Sequence, residues 1–282
     1  MGNGIKIDNS KNIVDKDDKY LLIFNFALNF LDEMIKDANL NRLTLERYIP
    51  ITSQFKNLND INRRLIESLS NRQMMPSVIK FKQRNDVFKE LLFNFDPKLI
   101  IYNYSDSNSL FITLQKHFQM KNIESKRNLW RKFSEGIISG SKFIGSFKSK
   151  EEFDKFVRVF SLNKYTSVAL PMLLSREIDG FGFALSCDFL KELGYRDYPK
   201  PDVHLMTIFY ELGFVNIKND YEVYKEIISM ALSINKDPYT VDKVFWLISS
   251  GNFYLDNIKI PGRREDFINK AKEILKTNLK FV

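Results

Sequence analysis

Apolar residues along this chain recur at the spacing of helices, not at the alternation of strands. The most apolar run, YLLIFNFALNFL at 20–31, is too short for a membrane span and carries Asn25 and Asn29, so it predicts a buried helix. Residues 43–49 predict a second helix, ended by Pro50. Ile61, Leu65, Ile66 and Leu69 fall on one face of a third, over 59–71. Shorter amphipathic segments follow at 87–95 and 110–120, and Trp130 and Phe133 mark the apolar face of a helix over 125–138. Gly136, Gly140 and Gly145 then predict a flexible zone over 138–150, followed by a helix over 151–160. Two strong helices at 221–234 and 240–250, the second stopped by Gly251, precede a basic amphipathic helix from Arg263 and Arg264 to about Asn278. No succession of alternating segments predicts a sheet. The expected fold class is all-α, in two helical subdomains with a cleft between them. One subdomain joins 19–58 with 210–282; the other is 59–209; a loose polar tail over 1–18 precedes both.

The stretch 167–209 carries the candidate chemistry. Val168, Leu170, Met172, Leu173 and Leu174 make an apolar segment of helical length, broken by Gly180 and Gly182. A second amphipathic segment, 184–193, places Leu185, Phe189, Leu190 and Leu193 at helical spacing, with Gly194 as its stop. Alternating glycines let a backbone turn tightly and approach a ligand, and the start of a helix offers unpaired N–H groups to an anion such as a phosphate. The same pattern also describes an ordinary corner between core helices. Twenty residues after Gly182, behind the helix-incompatible lead-in Tyr198-Pro199-Lys200-Pro201, stands Asp202. It precedes the apolar run Val203, Leu205, Met206, Ile208 and Phe209, where a helix N-cap belongs. It is therefore either a cap or a placed carboxylate.

Taken together, Ile178-Asp179-Gly180-Phe181-Gly182-Phe183-Ala184 and Pro201-Asp202-Val203-His204 resemble the helix–hairpin–helix (HhH-GPD) superfamily of base-excision DNA glycosylases. The family's hairpin reads Leu-Pro-Gly-Val-Gly-Pro-Lys-x-Ala; here Phe183 and Ser186 replace the proline and the small alanine. The resemblance implies a helix–hairpin–helix motif beside a DNA-binding cleft and a base flipped out of duplex DNA. It makes Asp202 the catalytic carboxylate, and Gly180, Phe181, Gly182 and Ala184 DNA contacts. Ala184 stands where bifunctional members have the lysine that forms a Schiff base with the sugar. That departure implies a monofunctional enzyme using water, unless another lysine substitutes; Lys191 is the nearest in sequence. The family also inserts side chains at the extruded nucleotide from a segment that 65–73 resembles, which makes Gln73 a candidate DNA contact, as against a plain helix end with core methionines. Phe245 and Trp246 are candidates for an aromatic base pocket, Trp246 as the substrate-binding residue, although aromatics at helical spacing also build cores.

Composition bounds these readings. At 282 residues with 44% hydrophobic and 28% charged content, the chain has room for one large or two small cored domains. A net charge of +8 suits a polyanionic partner. Cys187 is the single cysteine, which excludes a disulfide framework and the four-cysteine cluster of some glycosylases and suits a reducing compartment. With His117 and His204 alone, no histidine-rich metal site is expected. The expectation is thus a cofactor-free, metal-free, monomeric DNA glycosylase acting on double-stranded DNA, away from membranes, in the cytoplasm and, in a bacterium, nucleoid-associated. The alternatives are a helix–hairpin–helix DNA-binding protein without chemistry and a protein-binding helical scaffold.

Overall fold

The structure, a computed structural model, describes residues 16–40, 43–48, 55–72, 74–161 and 163–278. The chain opens with α1 (Lys16–Asp37) and α2 (Leu43–Tyr48). It continues through α3 (Leu58–Ser70), α4 (Met75–Ile79), α5 (Asn85–Leu91), α6 (Pro97–Asn103), α7 (Ser107–His117), α8 (Leu129–Gly145) and α9 (Lys150–Phe160). The middle forms α10 (Lys164–Glu177), α11 (Phe183–Glu192) and α12 (Val203–Glu211), and the chain closes with α13 (Asp220–Ser233), α14 (Pro238–Ser250) and α15 (Arg264–Asn278). The fold class is all-α, as expected. Its one departure among the described residues is an antiparallel pairing of Asn252–Phe253 with Ile258–Lys259, too short for an alternating pattern to reveal. No helix among the described residues is long and apolar enough to cross a membrane.

Local chemistry sets many of the helix starts. The side chains of Asn57, Asp96, Asp106, Asn128, Ser149, Asn163, Asn219 and Asp237 each accept hydrogen bonds from N–H groups of the turn that follows. Gly251 ends α14 in the left-handed conformation, φ +61°, as its position in the sequence indicates.

Buried apolar side chains form two clusters. One runs from Ile61 to Tyr198, over α3 to α11. The other joins α1 and Tyr48 to residues between Leu205 and Ala271. Helix α13 serves both: Tyr224 and Ile228 pack into the first cluster, Val223, Ile227 and Met230 into the second. The chain crosses from one cluster to the other between Tyr198 and Leu205, so Asp202 stands on the crossing.

The flexible zone expected over 138–150 is instead largely helix, because α8 runs through all three glycines to Gly145. Gly136 and Gly140 lie one turn apart on the face that packs against α3. A Cβ on Gly136 would stand 2.5 Å from the Asp179 carbonyl oxygen and 2.7 Å from a Leu69 methyl carbon, and one on Gly140 would collide with Leu65. These glycines are there for close approach, and that packing offsets their helix penalty of about 1 kcal/mol each.

Candidate functional site

Between α10 and α11 the chain makes a tight turn. Phe181 donates its N–H to the Ile178 carbonyl at 3.1 Å, and Gly180 sits at φ +88°, a region that disfavours any side chain. The turn rests on α8: the Asp179 N–H donates to the Ser139 hydroxyl at 2.8 Å, and Gly136 leaves room for the Asp179 carbonyl. The two glycines differ in purpose. Gly182 has an ordinary φ of −107°, and a Cβ there would meet nothing within 4 Å. Gly182 starts α11 without a side-chain cap, which leaves N–H groups of its first turn uncapped among the described residues.

The proline-flanked loop that follows is pinned from both sides. Tyr198 is buried and donates its hydroxyl to the Val157 carbonyl at 3.1 Å. Lys200 donates its backbone N–H to Asp242 at 2.6 Å and its ammonium to Asp188 at 3.1 Å. Burial works against the Asp188 charge, but Lys200, Lys191 and Arg64 outweigh it and hold the carboxyl below the usual range. Asp202 then opens α12. Its Oδ1 accepts the His204 N–H at 2.9 Å and the Leu205 N–H at 3.3 Å. Its Oδ2 accepts from no described residue. One oxygen caps the helix and the other remains available. The His204 ring fixes α12 to α14 through Nδ1 and the Ser249 hydroxyl, 2.8 Å apart.

Turn and carboxylate share one groove of about 710 Å³. Gly180, Phe181, Gly182 and Ala184 line it together with Asp202; so do Asn71, Arg72, Lys200 and Asp220. A second hollow of about 500 Å³ meets it across Phe181, Gly182 and Phe183 and continues to Met172, Leu173 and Arg176. Two residues after Arg72, Met74 is 76% exposed in the left-handed conformation, φ +64°, whereas Met75 is buried.

Next to the groove's loop lies a buried charged cluster. Lys191 pairs with Asp242 at 3.1 Å. Burial alone would lower this amine, but Asp242, Asp188 and Glu192 outweigh it and raise it above the ordinary lysine range. Lys243 is different. It is 4% exposed and makes no ion pair with a described residue. Its ammonium lies 5.2, 5.3 and 5.1 Å from the ring centres of Tyr239, Trp246 and Tyr254 and donates to the Tyr254 hydroxyl at 3.2 Å. Burial, reinforced by the nearby Lys191 cation, pushes it down to about 8.

The structure thus brings five of the sequence-derived site residues, Asp202, Gly180, Phe181, Gly182 and Ala184, into one groove. Trp246 lies elsewhere, on α14 against Lys243 and Tyr254, and does not line it. Gln73 lies outside the described residues. Sequence reading missed Arg72, one position before Gln73, and Asp220, at the start of α13. Lys200 stood inside the loop already singled out, and its charge was the available signal. No family model, curated protein or solved structure matches the chain.

Proposed function

We propose that the chain is a monofunctional DNA glycosylase that cleaves the N-glycosidic bond of a damaged or modified base flipped out of double-stranded DNA. The observation that carries this reading is the shared groove: the Asp202 carboxylate, with one oxygen unspent, faces the same space as the glycine turn and the uncapped start of α11. In this reading α10, the turn and α11 are a helix–hairpin–helix that holds a backbone phosphate through its N–H groups and gives affinity without sequence information.

The chemistry follows from charge. As the bond from C1′ to the base nitrogen breaks, its electron pair leaves with the base and positive charge develops on the sugar. A carboxylate beside C1′ stabilises that charge most strongly where water is sparse. Water then adds to C1′ and loses a proton, for which Asp202 Oδ2 is the acceptor. No lysine of the turn competes as nucleophile, because Ala184 has no amine, and Lys191 is held protonated by Asp242. Met74, exposed two residues along the chain from the groove-lining Arg72, is of a size to fill the space that the extruded nucleotide leaves in the duplex.

The decisive experiment is mass spectrometry of bases released from a panel of modified duplexes by the wild type and by Asp202→Asn. Release by the wild type alone, with DNA binding kept by both, supports the enzyme. The cap bonds from His204 and Leu205 by themselves favour a second reading, a helix–hairpin–helix DNA-binding protein without chemistry. Salt-dependent binding with no base released from any duplex would establish that one instead.

A further inference from the structure

Arg72 presents a guanidinium that makes no hydrogen bond or ion pair with a described residue. It follows the C-cap of α3, and its backbone is fixed on both sides, donating to the Leu69 carbonyl at 3.2 Å and accepting from the Met75 N–H at 3.0 Å. Its Nη1 lies 3.1 Å from where a Cβ on Gly180 would stand, so the side chain lies against the bare face of the bend. It lines the groove with Asp202 and Asp220, yet makes no ion pair or side-chain hydrogen bond with a described residue. Other arginines spend their guanidinium groups within the fold: Arg63 on Asn85, Arg84 on the Val78 and Ile79 carbonyls, Arg131 on Asn108, Arg263 on Asp37 and Asp266.

The groove's charges say what Arg72 is for. Asp202 and Asp220 repel a phosphodiester, and the Lys200 ammonium is already shared with Asp188. Beside the N–H groups of the turn, an unspent cation offsets that repulsion for a strand entering this space, and a guanidinium fits two phosphate oxygens at once. We infer that Arg72 is a positioning residue that binds a phosphodiester of the strand carrying the extruded nucleotide, setting the sugar against Asp202. The inference rests on the glycosylase reading of the same groove.

The test is binding of a fluorescein-labelled duplex with one tetrahydrofuran abasic analogue, by anisotropy, between 50 and 300 mM salt, as an order-of-magnitude range over which phosphate contacts are resolved. For Arg72→Gln the slope of log affinity against log salt falls by about one, with roughly tenfold weaker binding whatever base lies opposite. Arg72→Lys keeps the charge and restores the slope, which separates a phosphate contact from a packing role should the glutamine variant unfold. A wild-type slope in Arg72→Gln overturns the inference, and so does a changed preference among opposite bases at constant slope, which would make Arg72 a reader of the orphaned base. No base released by the wild type from any modified duplex would overturn the glycosylase reading while leaving the Arg72 slope unaffected.

Discussion

Lys191 on α11 and Asp242 on α14 form an ion pair of 3.1 Å with both side chains buried, joining a helix of one core cluster to a helix of the other. Asp242 Oδ2 also accepts the Lys200 N–H, while Oδ1 has no partner among the described residues. The crossing loop that carries Asp202 is therefore anchored on the pair. Removing one member of such a pair leaves an uncompensated buried charge. Lys191→Met is expected to lower the unfolding free energy by about 3–5 kcal/mol in urea titration. Borohydride reduction on an abasic duplex is expected to give no covalent adduct through Lys191, since its amine stays protonated.

Lys243 sets a pH dependence. In the unfolded chain it titrates near 10.5 and in the folded protein near 8. Between those values the unfolded chain binds more protons, so unfolding free energy rises with pH across the window. Below pH 8 the folded protein carries the buried charge at full cost, on the order of 3 kcal/mol. Urea unfolding of the wild type and of Lys243→Met from pH 7 to 9.5 measures this. The wild type is expected to gain stability relative to the variant as pH rises. A constant difference would mean that Lys243 titrates alike in both states.

Asp202 has a structural and a chemical role that two substitutions separate. Asparagine keeps the Oδ1 that accepts from His204 and Leu205 and is itself a good N-cap; alanine is not. Asp202→Asn is expected to melt within about 0.5 kcal/mol of the wild type and to release no base, whereas Asp202→Ala loses roughly 1 kcal/mol as well. Calorimetry paired with the release assay checks both.

Gly136 and Gly145 of α8 make an internal control. A methyl group at Gly136 would press on the Asp179 carbonyl and on Leu69, while at Gly145 the nearest atom is an Ile101 methyl carbon at 3.4 Å. Gly136→Ala is expected to cost about 1–3 kcal/mol by overpacking and to weaken DNA binding by displacing the turn. Gly145→Ala should change stability by less than about 0.5 kcal/mol and leave binding alone. Chemical denaturation and duplex binding are the two measurements.

The glycines of the turn should separate in the same way. Gly180→Ala is strained at φ +88° and crowds Arg72, so stability falls by roughly 1–2 kcal/mol. Gly182→Ala meets nothing within 4 Å and should fold normally, yet it places a methyl group where a phosphate would approach the α11 N–H groups. Normal melting with weakened duplex binding is expected. Unchanged binding would remove the turn from the interface.

What the sequence determined by itself was local. Helical periodicity, the side chains that cap helix starts and the glycine that stops α14 each act within a turn or two, so the all-α class and many helix positions were legible one stretch at a time. The two glycines ahead of Asp202 could likewise be picked out as a motif. Tertiary structure alone decided what those residues meet. Gly136 and Gly140 looked like a loop because their reason, contact with Leu69, Asp179 and Leu65, lies on other elements. Arg72 and Asp220 gave no signal, because a groove is a place where the ends of α3, α11, α12 and α13 converge, and convergence is set by the packing of distant segments. Lys191 and Lys243 read alike as lysines on amphipathic helices. Asp242, 51 residues along the chain, keeps Lys191 charged against its burial, whereas Lys243 is buried without a carboxylate partner among the described residues and beside the Lys191 cation, which brings it down toward neutrality.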